Sequence, residues 1–193
     1  MLKRLSAVLF VSALAASACA AAPKRFGFDA GISTGIPIYG GGDVEAADSA
    51  VNGGSVNRIV IGGNAGATLR LGAPLKLLAG ADLLCDFVWS GGDHSNHLDY
   101  AFFGGVKIYP GIRGLAFSIA YALGRRTDFI DNETESATRS TAWGNGFRLS
   151  AEYDFLYNSA RSCMPAAGIY YRMMPRGGNV YDNILAAYIV LSF

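Results

Sequence analysis

Apolar side chains recur at every second position along most of this chain, and the pattern runs to the final residue, Phe193. Successive side chains of a β-strand point to opposite faces of a sheet, so a period of two predicts strands with one apolar face. The first segment alternates small or polar residues with an apolar set, which is Phe26, Phe28, Ala30, Ile32, Ile36 and Ile38. The same alternation returns seven more times, which predicts an all-β fold.

The alternating segments predict eight strands separated by turn-forming residues. The predicted strands cover about residues 25–39, 57–71, 75–89, 98–109, 115–124, 143–156, 165–174 and 182–193. Short connections are predicted at 72–74, 110–114 and 157–164. The connections between them are mostly longer and rich in Gly, Asp, Asn and Ser, at 40–56, 90–97, 125–142 and 175–181. Short turns alternating with longer loops are typical of an eight-stranded antiparallel up-and-down transmembrane β-barrel.

Composition and charge limit the other classes of protein. The 193 residues suit one domain, and 16 basic against 15 acidic residues give a net charge of +1, which argues against a nucleic-acid partner. Only 16% of the residues are charged, and the 25 glycines are too many for a helical protein. After residue 25, no apolar run approaches the roughly 20 residues that a transmembrane helix needs.

The start of the chain has the features of an export signal peptide. Lys3 and Arg4 form a basic start, an apolar stretch follows over 5–16, and residues 18–20 are a small-residue cleavage site. We therefore divide the chain into a signal peptide, residues 1–20, and an outer-membrane β-barrel domain, residues 21–193. The segment that ends at Cys19 also resembles a degenerate lipobox, so a lipid-anchored N-terminus stays open as an alternative.

The direction of the apolar face separates a membrane barrel from a soluble one, in which that face points inward. The opposite face of this chain is rich in Gly, Ala and Ser, which suits the narrow interior of an eight-stranded barrel. It also carries acids and bases in equal number, as a buried interior requires. The predicted lumen charge network is Asp29, Asp82, Asp86, Asp99, Glu152 and Asp154 with Arg58, Arg70, Lys76, Lys107, Arg148 and Arg172. We therefore predict that the apolar face contacts lipid.

Aromatic residues near the strand ends support the same orientation. The predicted interfacial aromatics are Trp89, Tyr100 and Trp143 toward the loops, and Phe155 and Phe193 toward the turns. Aromatic rings form girdles at the two boundaries between lipid and water in membrane barrels. Their positions therefore predict where the lipid-facing part of each strand ends.

The chain resembles the small outer-membrane barrels of diderm bacteria, the OmpA, OmpX and OmpW-like group. The resemblance rests on the export signal, the alternating strands, the rhythm of turns and loops, and the closing segment 187–193. It implies a place in the bacterial outer membrane, contact with its lipid, and assembly by the barrel-insertion machinery. That machinery reads a terminal aromatic in this group, and Leu191 and Phe193 match its two hydrophobic end positions. Tyr188 stands where the group often has glycine.

Both histidines occur in the segment 93–97, Asp-His-Ser-Asn-His, within a predicted loop. Some small outer-membrane barrels are lipid hydrolases that use a His and a Ser, so His94 and Ser95 are candidates. Adjacent side chains point opposite ways in an extended chain, which argues against that pair. A metal site from Asp93, His94 and His97 is a second alternative. A polar surface loop is the favoured interpretation.

The sequence therefore predicts an integral outer-membrane barrel with a structural or surface-interaction role, carried by its outer loops. It predicts no enzymatic activity, no cofactor and no metal. A host or environmental ligand at the loops is the expected partner besides lipid. The alternative is a narrow passive channel for small solutes or hydrophobic molecules, and a lipid hydrolase is a third hypothesis.

Overall fold

A computed structural model describes residues 26–41, 56–72, 74–132, 136–156 and 163–193. The predicted signal peptide, Cys19 and most of the first predicted loop lie outside the described residues. Among the described residues, no helix is long and apolar enough to cross a membrane.

The described chain is built of antiparallel strands. They are β1 (Phe26–Gly40), β2 (Asn57–Arg70), β3 (Leu75–Ser90), β4 (Asp93–Ile108), β5 (Leu115–Asp131), β6 (Ser136–Ser140), β7 (Gly144–Asp154), β8 (Met164–Gly177) and β9 (Val180–Ser192). Consecutive strands pair along the chain except for β6 and β7, and the last strand pairs with the first. Strands β6 and β7 pair with different parts of the same edge of β5, so together they occupy the sixth strand position around the barrel. The nine strands therefore close as an eight-stranded barrel. The predicted fold class is confirmed.

The closing seam joins β1 to β9 over most of their length. The pairing runs from Asp29 opposite Ser192 to Gly40 opposite Tyr181. The backbones of Phe28 and Phe193 exchange two further hydrogen bonds, at 3.1 and 2.8 Å. Closure satisfies the backbone groups that a free sheet edge would leave unpaired in lipid, where no water is available.

The apolar side chains point outward along every strand, as predicted. At mid-height, Ile32 is 69%, Ile119 55% and Ile189 58% exposed on the barrel exterior. Small, polar and charged residues occupy most of the alternate, inward positions, where Ser118 and Asp82 are buried, and a few large apolar residues such as Leu84 lie among them. We call the continuous outer band of these apolar side chains the lipid belt.

Two predicted loops are tight hairpins. Residues 90–97 were expected to form a loop, but β3 and β4 continue to a turn at Gly91–Gly92, where Gly91 has φ 60°. Residues 175–181 likewise form the ends of β8 and β9, with a turn at Gly178–Asn179 and φ values of 60° and 63°. The two consecutive positive φ values at Gly178–Asn179 match the right-handed twist of the flanking strands. Both loop predictions are wrong. Polar residues occupy both faces of β4 over 93–97, and proline, glycine and asparagine interrupt the alternation over 175–181.

The third predicted loop, residues 125–142, is also largely strand. The lipid belt on β5 ends at Leu123, and the next outward residue is Arg125. The strand nevertheless continues to Asp131, and β6 returns beside it. We call β6 with residues 127–131 of β5 and 93–97 of β4 the protruding sheet, since it extends past the lipid belt.

Candidate functional site: the lumen network and the protruding sheet

The periplasmic half of the lumen holds a compact cluster of charges and phenols. Lys107 Nζ lies 2.7 Å from Glu152 Oε1, and the Tyr188 hydroxyl donates to Glu152 Oε2 at 2.8 Å. The Tyr109 hydroxyl donates to Asp154 Oδ2, also at 2.8 Å. Each carboxylate therefore has a donor, as burial requires.

The middle of the lumen is filled by aromatic rings around one arginine. Arg148 Nε donates to Asp82 Oδ2 at 2.9 Å. Its guanidinium lies 4.3 Å from the ring centroid of Tyr170 and 4.6 Å from that of Phe103. Arg172 Nη1 lies 4.0 Å from the same oxygen of Asp82, and this contact joins the middle of the lumen to the level above.

Above this level, arginines and aspartates alternate in one chain of ion pairs. Asp99 accepts hydrogen bonds from Arg172 and Arg176, and Asp182 accepts from Arg176 and Arg126. Their side chains are at most 2% exposed. Each carboxylate is shared by two guanidiniums, which offsets the cost of removing the charges from water.

The network ends at the extracellular side around His97. Arg126 Nε and His97 Nδ1 each lie 2.7 Å from Asp128 Oδ1. His97 Nε2 lies 3.3 Å from Ser95 Oγ. The ring of Tyr39 packs against both of these side chains, with its centroid 4.8 Å from the His97 imidazole and 4.5 Å from the Arg126 guanidinium.

Asp128 lies beyond the lipid belt, three residues past the outward-facing Arg125. Burial opposes ionisation of its carboxyl, but hydrogen bonds from His97 and Arg126 and the charge of Arg126 hold its pKa below the ordinary value. Asp128 is therefore a carboxylate at neutral pH. The imidazole accordingly keeps a proton on Nδ1 to donate to it.

The predicted lumen residues lie in different environments. Eight of them are buried and hydrogen-bonded, namely Asp82, Asp86, Asp99, Lys107, Arg148, Glu152, Asp154 and Arg172. Asp29 and Lys76 are half-buried, and Lys76 Nζ donates to Tyr109 at 3.0 Å. Arg58 is exposed but pairs with Asp86 through two nitrogens, at 2.8 and 2.7 Å, whereas Arg70 is exposed at the periplasmic end of β2.

Sequence reasoning missed five members of the network. They are His97, Arg126, Asp128, Arg176 and Asp182, and all occur in segments assigned to loops or to the first residue of a strand. The spacing along the strands identifies these five residues as inward-facing. Each of them lies an even number of positions from another inward-facing residue on the same strand. Extending the alternation past the end of the apolar residues would have found them.

The predicted interfacial aromatics all lie on the barrel exterior or at its ends. Trp143 is 49% exposed and packs edge-on against Tyr100, with ring centroids 5.8 Å apart. At the other end, Phe155 is 58% exposed and packs against Tyr153 at 5.6 Å. Trp89 is half-buried near the extracellular end of β3.

The structure also places the residues of the histidine segment. His94 points outward and is exposed, whereas Ser95 and His97 point inward and are buried. His94 and Ser95 therefore cannot act as a pair, and the two histidines lie on opposite faces of β4. Among the described residues, no three metal-ligating side chains lie together.

A closed antiparallel sheet with a lipid belt outside and a paired charge network inside is the construction of an integral outer-membrane β-barrel. The fold is similar to that of Ail, the attachment invasion locus protein of Yersinia pestis, with 9% identity over 87% of this chain and 97% of that chain and a TM-score of 0.56. Ail in complex with the heparin analogue sucrose octasulfate gives a TM-score of 0.55 at 9% identity over the same shares. Neisserial surface protein A matches with 12% identity over 88% of this chain and 98% of that chain and a TM-score of 0.51. No protein-family model and no curated protein matches the sequence. The likeness is one of fold.

Proposed function

We propose that the protein is a surface-interaction protein of the bacterial outer membrane, whose protruding sheet binds an extended segment of a partner protein. The observation that carries this proposal is the edge of β6 beyond the lipid belt. An exposed strand edge presents unpaired backbone donors and acceptors, which can add a further strand from another chain.

The residues of β6 are largely exposed. Four of its five residues are exposed, and within the described residues β6 pairs with β5 alone. Thr141 N–H donates to Arg126 O at 2.9 Å, in line with the register that places Ser140 opposite Thr127. Backbone groups alternate in direction along an antiparallel strand, so Thr138 and Ser140 direct their N–H and C=O groups away from β5.

The outer face of the protruding sheet provides contacts for side chains. Phe129 is 43% exposed beyond the lipid belt, where lipid does not cover it. It lies in a shallow depression of about 310 Å³, together with His94, Asn96 and Thr138. An apolar ring among polar groups suits a partner side chain that projects from an added strand.

Membrane geometry favours a partner outside the bacterium over a second copy of the same chain. Barrel strands tilt about 35–45° from the membrane normal. Two copies in one membrane are related by rotation about that normal, so their β6 strands would lean in opposite directions and cross. A free extended segment carries no such restriction. The description of Ail as an attachment invasion protein supports a surface role for this fold.

Replacing Thr138 with proline tests whether the edge of β6 binds an added strand. Thr138→Pro removes the outward N–H without touching the pairs that β6 makes with β5. Peptides selected from a random displayed library on the folded full chain in nanodiscs should bind this variant about 3- to 10-fold more weakly, for one lost backbone hydrogen bond. Thr138→Val, which keeps the N–H, should retain binding. Equal affinities for the two variants, or no selected peptide, would contradict the proposal.

The alternative function, a passive channel, is opposed by the filled lumen. Buried ion pairs and rings occupy successive levels from Lys107 to His97, and the lumen retains a cavity of about 50 Å³. We expect refolded protein in planar bilayers to show no reproducible unitary conductance. Insertion in the same sample is verified by migration on gels with and without heating. Steady single-channel openings would instead favour the channel.

We also propose that residues 1–20 are removed on export and that Leu191 and Phe193 direct insertion into the outer membrane. Two observations support the insertion role. Leu191 pairs with Ala30 on β1, and Phe193 bonds to Phe28, so both end positions lie at the closing seam. The buried charge network then acts as the structural core that holds the barrel in shape.

A further inference from the structure

The side chains at the extracellular end of the lumen form a serine–histidine–aspartate series. Ser95 Oγ lies 3.3 Å from His97 Nε2, and His97 Nδ1 lies 2.7 Å from Asp128 Oδ1. A nucleophile next to a base, with the base oriented by a carboxylate, is the arrangement used for acyl transfer on several unrelated folds. We propose that Ser95, His97 and Asp128 form a site that hydrolyses small carboxylic esters.

The barrel fixes this geometry through strand register. Ser95 and His97 are two residues apart on β4, so both point inward, and Asp128 on β5 lies directly opposite His97. The three groups are thus held by regular strands rather than by loops. A rigid scaffold keeps reacting groups within the small tolerance that catalysis needs.

The charges around His97 favour its role as a base. The carboxylate of Asp128 holds the proton on Nδ1, which leaves Nε2 of the neutral ring to accept from the serine hydroxyl. Asp86 on β3 lies opposite His97 in the register of the sheet and is paired with Arg58. Asp128 is shared with Arg126. Each of the two carboxylates beside the ring therefore also has a guanidinium partner. Tyr39 packs against the imidazole and restrains its rotation.

The neighbours of Ser95 define the substrate class. In the register of the sheet, Ser95 lies between Val88 on β3 and Ile130 on β5, and both are buried, inward-facing and apolar. They suit a short acyl chain. Ser95 itself is fully buried close to the Gly91–Gly92 turn, so the proposed reaction requires a substrate small enough to enter from the extracellular mouth. Small esters should therefore react faster than long-chain ones.

The reaction balances with water as the only co-reactant. Ser95 Oγ attacks the ester carbonyl carbon while its proton passes to His97 Nε2. The C–O bond to the alcohol breaks, the alcohol leaves with that proton, and an acyl-serine remains. Water then attacks the acyl carbon, gives its proton to Nε2, and releases the carboxylic acid as Ser95 recovers its hydrogen. Asp128 is a positioning residue, since it acts through His97.

This inference does not depend on the edge of β6. It departs from the expectation, made from the sequence, that the chain has no enzymatic activity. It also differs from the pair considered there, because His94 points away from Ser95.

The test uses the refolded full chain in detergent with a fluorophosphonate probe and p-nitrophenyl acetate. We expect covalent labelling at Ser95 and ester hydrolysis that rises with pH, because a general base must be unprotonated to accept the serine proton. Ser95→Ala should abolish labelling, and His97→Gln should slow hydrolysis at least about 100-fold. Asp128→Asn should slow it and alter the pH profile. Ser118→Ala, which removes another buried lumen hydroxyl far from His97, should leave both readouts intact.

Folding of each variant is checked by heat-modifiable migration, and Ser95→Ala is the smallest change if the others fail to fold. Two results would overturn the proposal. One is the absence of labelling in folded wild-type protein. The other is hydrolysis that Ser95→Ala leaves unchanged.

Discussion

Replacing Arg172 with methionine is expected to lower the free energy of unfolding by about 3–5 kcal/mol, because it leaves the buried network of shared ion pairs one cation short. Arg172 is 1% exposed, binds Asp99 and lies 4.0 Å from Asp82. Methionine keeps much of the volume but none of the charge. The measurement is urea unfolding of the refolded barrel in lipid vesicles, followed by gel migration without heating.

Arg70→Met is the matched control, since Arg70 belongs to the same predicted set but is exposed at the periplasmic end. Its effect should stay within about 0.5 kcal/mol, as for most exposed positions. Adding Asp99→Asn to the Arg172→Met chain should restore part of the stability, because it removes an uncompensated charge. Equal unfolding midpoints for the two arginine variants would show that the network does not stabilise the barrel.

Placing an arginine in the lipid belt is expected to cost about 2–4 kcal/mol near the bilayer midplane. Ile119 is suitable, because it lies midway between Leu115 and Leu123 on the outward face of β5 and is 55% exposed. Ile119→Arg should therefore reduce both the stability and the yield of barrel inserted into vesicles. Protease protection and gel migration measure the inserted fraction.

Phe129→Arg provides the control on the same face of the same strand. Phe129 lies beyond Arg125, outside the lipid belt, so its replacement should leave insertion nearly unchanged. A comparable loss for the two variants would mean that the belt ends elsewhere on β5.

The lipid belt and the facing of its strands were predictable from the sequence, because the side chains that contact lipid must be apolar at every outward position within the membrane. Ile119 and Ile189 belong to segments in which a period of two is visible without any structure. Beyond the membrane, water contacts the outer face of each strand. The outward side chains there need not be apolar, so the alternation of apolar and polar residues disappears from the sequence. His94 and Ser95 are both polar although they point in opposite directions, so the end of β4 has the sequence of a loop.

The partners within the lumen could not be predicted in the same way. The sequence indicated which face carries charge, but pairing depends on register and on contacts across the barrel. His97 and Asp128 are separated by 31 residues, and Arg176 and Asp99 by 77. Only the alignment of β4 with β5, and the closure that brings β8 across from β4, places these groups in contact.

The most direct test of the whole account is the depth of one fluorescent side chain in vesicles. A variant carrying Ile119→Trp, with Trp89 and Trp143 replaced by phenylalanine, has a single tryptophan on the lipid belt. If the apolar face contacts lipid, this tryptophan is quenched strongly by lipids brominated deep in the acyl chains and little by iodide in the water. Quenching by iodide without quenching by brominated lipid would contradict the outward orientation of the apolar face.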